Sequence, residues 1–305
     1  GIKVFAIIVS IILLIPISKN WFSFLARSFF YGTVDASETP LEFKILTDST
    51  AAVSKCHPEI ENISIPEKAH IKGNEYTVTS IKDQAFLSCN KLTDIKIPES
   101  VTSIGSSAFK NCSNLTNIEI PESVTSINSS AFKNCSSLTN IEIPESVTSI
   151  GSSAFENCSS LTNIIIPASV VISIGKSAFE NCSSLTDIKI HASVTSIEEG
   201  TFNGCSQLSN VEIPASITHI GNSAFQGCSS LRSIEIPKSV TKIGDSAFRL
   251  CSSLKSIKIP ASVISIKKNA FVGCNNLDVV IDNSKDDVVV GEDAFRGCKS
   301  VRYTK

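Results

Sequence analysis

Eleven cysteines punctuate this chain at an almost constant step. From Cys89 onward, through Cys112, Cys135, Cys158, Cys182, Cys205, Cys228, Cys251, Cys274 and Cys298, neighbours stand 23 residues apart, with two intervals of 24. A disulfide framework has no reason to keep such a step, whereas a chain that folds one short unit repeatedly must. Aligned on cysteine, LTNIEIPESVTSINSSAFKNCSS (Leu115 to Ser137) is followed by LTNIEIPESVTSIGSSAFENCSS (Leu138 to Ser160). One column reads Leu92, Leu115, Leu138, Leu161, Leu185, Leu208, Leu231, Leu254 and Leu277, with Val301 expected to close it. Another holds a phenylalanine in every unit from Phe86 to Phe295, preceded by alanine except at Phe202, where Thr201 stands.

The unit has a readable local structure. Leu115, Ile118 and Ile120 alternate with polar residues at the spacing of a strand. Pro121 cannot donate to a ladder, so that strand is short. Val124 and Ile127 form a second short apolar pair, and Ser129 or Ser130 is expected to cap a helical turn that carries Ala131 and Phe132 inward. The residue after Ile127 and its equivalents is usually glycine (Gly105, Gly151, Gly175, Gly221, Gly244, Gly291), but Lys82, Asn128, Glu198 and Lys267 also occur there. A left-handed backbone is therefore not expected at this position. No single unit can bury its apolar edge. Stacking about ten of them roughly 4.8 Å apart makes one continuous core. The fold class predicted is a leucine-rich-repeat solenoid: a curved array with one short parallel strand per coil of about 23 residues, and a short strand, 3-10 or helical turn on the other side.

The pattern LxxIxIPxSVTSIGxSAFxxCSS resembles the BspA-like leucine-rich repeat of bacterial and protist surface proteins, over residues 41 to 305. FKILTDSTAAVSKC (Phe43 to Cys56), ISIP (Ile63 to Pro66) and YTVTSI (Tyr76 to Ile81) are similar to that family's first coils. The resemblance implies adhesion to host proteins and interaction at a cell surface. Three departures stand out. Val170-Val171 adds a residue and predicts a bulge, His191 replaces the usual proline, and DNSKDDVVV (282 to 290) predicts a loosened last coil.

Residues 4 to 17 are apolar between Lys3 and Lys19, too short to span a bilayer but suited to a secretory signal. With Val34 and Ala36 at the positions a signal peptidase reads, residues 1–36 are expected to be a cleaved signal peptide or a retained membrane anchor. Residues 37–81 then form an N-terminal cap and first coils, and 82–305 the repeat array. Asp282 to Lys305 either closes the far end or is followed by more chain. A net charge of -2 argues against nucleic acid, and membrane contact is expected only through an uncleaved N-terminal segment.

No catalytic chemistry is legible. His57, His70, His191 and His219 are scattered, and neither a phosphate-binding loop nor a nucleophile elbow occurs. Stacked thiols would have parallel Cβ vectors, so buried free cysteines are expected rather than disulfides. One thiol per coil makes a line, not a zinc tetrahedron. No enzyme activity, cofactor or metal is predicted. Seven N-x-S/T sequons (Asn62, Asn111, Asn114, Asn128, Asn134, Asn157, Asn181) matter only in a eukaryotic secretory pathway.

The candidate site is the strand-lined concave face. The residues expected to contact a partner there are Lys96, Asn117, Glu119, Glu122, Asn140, Glu142, Glu145, Lys189, Glu212, Glu235 and Lys258. Glu99, Glu119, Glu122, Glu142 and Glu145 should gather near one end, and Arg232, Lys238, Lys255 and Lys258 nearer the other. Like charges on adjacent strands repel unless offset. The face is therefore a patch for an extracellular or host-surface protein, a weak calcium site, or a solvated surface copied by duplication. The corresponding functions are adhesion or protein recognition, a structural coat or spacer, and a tethered receptor ectodomain. Past Ala36 no tryptophan remains, and Phe43 is the only phenylalanine outside the core column, so single-site binding should be weak and gain strength by avidity.

Overall fold

The computed structural model describes residues 33–167, 173–191 and 193–305. Most coils open with the expected strand, the one at Leu231 being an exception. In Asp94–Lys96, Asn140–Glu142 and Asp187–Lys189 the central isoleucine is buried and both flanking residues are exposed. Proline then closes a tight turn, as Val124 N donates to Pro121 O at 3.0 Å and Val147 N to Pro144 O at 3.1 Å. His191 O accepts from Val194 N at 3.0 Å in the same way, so this hydrogen bond survives without the pyrrolidine ring. A two-residue second strand follows, as in Ser126–Ile127 and Ser149–Ile150. Both strands stack in parallel and in register. Asn140, Ile141 and Glu142 face Asn163, Ile164 and Ile165, while Ser126 and Ile127 face Ser149 and Ile150.

The third side differs from the expectation. Neither Ser129 nor Ser130 caps a helical turn, because Ser130 itself has φ 58°. Two left-handed residues recur in each coil, four positions apart, as at Ser107 and Asn111, Ser130 and Asn134, or Ser153 and Asn157. A left-handed residue cannot continue a right-handed helix. Among the described residues the helical structure is one 3-10 turn, Ala36–Glu38. In the turn, alternate amides point to the following coil instead: Ser107 N donates to Ser129 O at 2.9 Å, Phe109 N to Ala131 O at 2.8 Å and Asn111 N to Lys133 O at 2.8 Å. The glycine column is not left-handed, as expected, but is needed for another reason. A Cβ on Gly151 would lie 2.5 Å from Ser129 N of the preceding coil.

The core is a set of columns. Phe86 to Phe271 are all fully buried, with successive rings 4.9 to 5.7 Å apart and interplanar angles of 2° to 18°. Burying each such ring contributes about 1.5–3 kcal/mol. Val301 does not close the leucine column. The coil before it is one residue shorter between Leu277 and Val279 than its predecessor is between Leu254 and Ile257, and Val301 pairs with Val279 on the edge strand Ser300–Tyr303. The segment 282–290 is not loosened. Asp278–Ile281 and Val289–Val290 continue both ladders, and the buried Asn283 donates its side-chain amide to Ala261 O at 3.2 Å.

The first coil is covered by antiparallel hairpins. Leu41–Ile45 pairs with Thr50–Cys56, and Lys68–Ile71 with Asn74–Ile81 through Lys72 and Gly73, both at positive φ as a two-residue hairpin turn requires. Thr33–Asp35 pairs in parallel with Lys68–Ile71, and Thr33 Oγ1 donates to Glu75 Oε2 at 3.2 Å. The folded body thus begins inside the segment 1–36. The apolar run at 4 to 17 and the extra residue at Val170-Val171 lie outside the described residues.

Candidate binding face

The first strands of successive coils lay their polar residues on one open surface that carries two troughs. The larger, of about 790 Å³, brings together Lys96, Glu99, Asn117, Glu119, Glu122, Asn140 and Glu142, with Asn163 and Ile165 at one side. Four carboxylates there stand against one lysine. The smaller, of about 580 Å³, is lined by Asn210, Glu212, Ser233, Glu235, Ser256 and Lys258. Of the predicted contact residues, Glu145 is exposed beside the larger trough without lining it, and Lys189 lies in neither, facing Glu212 across the ladder. The expected gathering of cations is only partial. Lys258 lines the smaller trough, 3.5 Å from Asp282 Oδ2, while Arg232, Lys238 and Lys255 do not line it.

The charges of this face differ from those of the turn side in one respect. On the turn side, cations and anions of adjacent coils pair: Lys133 with Glu156 at 2.7 Å, Lys176 with Glu199 at 3.2 Å, Lys268 with Glu292 at 2.7 Å. Among the described residues, no ion pair forms to Glu99, Glu119, Glu122, Glu142, Glu145, Glu212 or Glu235. Glu119 and Glu142 occupy the same column in adjacent coils, so their repulsion is not offset within the fold. In that column Ile165 is 52% exposed, an apolar side chain opposite Glu142.

The cysteines are mostly core side chains. All eleven are free, and ten are buried. From Cys112 onward the thiols donate to the carbonyl of the phenylalanine in the preceding coil, Cys112 Sγ to Phe86 O at 3.0 Å and Cys182 Sγ to Phe155 O at 3.2 Å. Burial pushes Cys158 and Cys205 up to about 12, so neither forms a thiolate nucleophile near neutral pH. Among the described residues no group of three or more His, Cys, Asp or Glu is placed to hold a metal.

A second polar strip was not anticipated. Asn111, Asn134, Asn157 and Asn181 form a ladder, each side-chain amide donating to the carboxamide oxygen of the one before at 2.7 to 2.9 Å. These are four of the seven sequons. Asn128 donates to Ile104 O at 2.9 Å, Asn62 accepts from Thr93 Oγ1, and Asn114 is exposed. The signal that could have exposed the ladder is the exchange of asparagine with glycine before cysteine, as in Asn181 against Gly204, which marks a left-handed position.

A coil of two short parallel strands, repeated at 23 residues with a phenylalanine and a cysteine column, is the geometry of one repeat family. The model of the BspA type leucine rich repeat region matches residues 54–182 and 172–302, most of the chain. The chain belongs to the BspA-type leucine-rich repeat family. Among solved structures, a leucine-rich repeat protein from Bacteroides ovatus is 30% identical, with a TM-score of 0.62 over 86% of this chain and 80% of that one. The Treponema pallidum (T. pallidum) leucine rich repeat protein is 29% identical, with a TM-score of 0.57 over 63% of this chain and 88% of that one. The pneumococcal vaccine antigen PcpA, 20% identical with a TM-score of 0.56 over 86% of this chain and 79% of that one, shares the fold. No curated protein matches the chain. The repeat matched by that family model is the unit whose columns build the core.

Proposed function

We propose that this BspA-type protein acts at an exported surface as a recognition module, binding a protein through the strand face, with the larger trough receiving a basic patch of the partner. The observation that carries this is the set of unpaired carboxylates gathered in a hollow, in a molecule whose turn side pairs its charges across coils. A partner's cations would remove the repulsion between Glu119 and Glu142, and Ile165 offers a small apolar contact beside them. The apolar run at 4 to 17 supports export. Leucine-rich repeat proteins generally bind proteins and are generally not catalysts, and scattered histidines support a non-enzymatic role here.

The test is a pull-down from extracellular proteins with residues 33–305 as bait, at low and physiological salt. A second bait carries Glu119→Lys, Glu142→Lys, Glu212→Lys and Glu235→Lys. A partner held by the first and lost by the second, more weakly held as salt rises, is the expected result. Equal retention by both baits, or retention by neither, rejects the face as the site and leaves the spacer reading.

A further inference from the structure

One row of the strand face carries an ordered set of chemistries. Lys96, Glu119, Glu142 and Ile165 stand 23 residues apart, one per coil, and all four are exposed and line the larger trough. Read across the coils, the row is one cation, two anions and one apolar side chain. On one side of it lie Asn117, Asn140 and Asn163, each two residues earlier on its strand, and on the other the exposed Glu99, Glu122 and Glu145. The row starts in the same way four coils further on, with Lys189, Glu212 and Glu235, but there it ends in Lys258. In that second copy Ala215 and Lys238 stand where the first has Glu122 and Glu145.

A ligand that answers this row has to present one side chain per coil, at intervals of roughly 4.8 Å. An extended strand laid across the coils presents its same-face side chains about 6.7 Å apart, gains about 2 Å on the row at each step, and after three steps is out by more than one coil. An α-helix presents one side chain per turn along a stripe, about 5.4 Å apart, and drifts by under ~2 Å over the same three steps, within the reach of a lysine or arginine side chain. Its diameter of about 10–12 Å also spans the flanking asparagine and glutamate rows. Resting on the reading of this face as a protein-recognition surface, we propose that the partner's contact element is a basic α-helix laid across the strands along the axis of the array. Its stripe of one acidic, two basic and one apolar residue, one per turn, is set against Lys96, Glu119, Glu142 and Ile165. The flank over Glu99, Glu122 and Glu145 is basic as well. This pairing offsets the repulsion between Glu119 and Glu142 and covers the 52% exposed Ile165. The smaller trough rejects the same helix, because Lys258 stands where its apolar residue needs Ile165.

Synthetic helical peptides with a Glu-Lys-Lys-Leu stripe, one residue per turn, test this against the protein by fluorescence anisotropy. One control reorders the stripe as Lys-Glu-Leu-Lys, and another keeps the stripe but carries interior prolines that forbid the helix. The helical Glu-Lys-Lys-Leu peptide should bind at least about tenfold tighter than either control, and more weakly as salt rises. Ile165→Lys should reverse the preference at the last place of the stripe, weakening the peptide that ends in Leu and tightening one that ends in Glu. A misfolded variant cannot give that gain. If the proline peptide binds as tightly as the helical one, the helix is overturned, and loss of that binding in Glu119→Lys with Glu142→Lys leaves the face as the site. Binding of no peptide, equal binding of the reordered stripe, or no reversal in Ile165→Lys also overturns the helix, while the pull-down decides the recognition face on its own.

Discussion

At the scale of the residue, the repeat is written around backbone conformations that its side chains only partly reveal. The position before each cysteine is left-handed from Ser88 to Gly297, and is filled by Asn, Gly or Ser except at Leu250, where φ is 62°. A left-handed leucine costs about 1–2 kcal/mol, and glycine there gives back about 0.5–1 kcal/mol in chain entropy. Leu250→Gly should therefore raise stability by up to about 1 kcal/mol in urea denaturation, and a loss would show that Leu250, 49% exposed, is not strained. The glycine column makes the opposite prediction. At Gly151 the conformation tolerates a side chain but the space does not, with Ser129 N 2.5 Å from the added carbon. Gly151→Ala should destabilise by about 1–3 kcal/mol, read from the same denaturation curves. The sequence showed where these glycines lie and that φ was not the reason. It could not show the approach of the preceding coil, because that distance belongs to two residues 22 apart in the chain, Ser129 and Gly151. The serines were equally opaque. Read as loop and cap residues, several donate instead to the coil before, as Ser146 Oγ does to Val124 O at 2.6 Å and Ser239 Oγ to Ile217 O at 2.6 Å.

At the scale of the element, alternating Leu, Ile and Ile was enough to place the first strand, because a period of two has one physical reading on a half-buried surface. The turn was not legible, since a serine before alanine and phenylalanine is as good a helix cap as it is a left-handed residue. The final strand shows what holds a solenoid edge. Asp278 accepts from Lys299 Nζ at 2.7 Å and Ser300 Oγ at 2.6 Å, and these bonds hold its carboxyl below the ordinary 3.8. Thr304 and Lys258 do the same for Asp282. A carboxylate with a depressed folded pKa stabilises above its unfolded value and loses that contribution as pH falls through the folded one. Ser300–Tyr303 should therefore keep its amide protection near neutrality and lose it below about pH 3.8, ahead of the central coils. Hydrogen exchange, compared as protection factors at ~pH 6 and ~pH 3, checks this. Asp278→Asn should remove most of the difference, and an equally protected edge strand at both pH values would discount the carboxylates.

At the scale of the molecule, the architecture was written in the cysteine step, and the face residues followed from strand alternation. Grouping them required three dimensions: Glu99, Glu119, Glu122 and Glu142 share a trough because coils stack in register, while Glu145 falls just outside it. The turn column has a consequence of a different kind. Peptide groups in the strands alternate and their dipoles largely cancel. In the turns, alternate amide protons of each coil point forward and the carbonyl oxygens that receive them point back, coil after coil, so those dipoles add. The array therefore has an electrical direction along one edge, negative toward its first coils and positive toward its last, and each duplication that lengthened the chain lengthened that dipole by one more step.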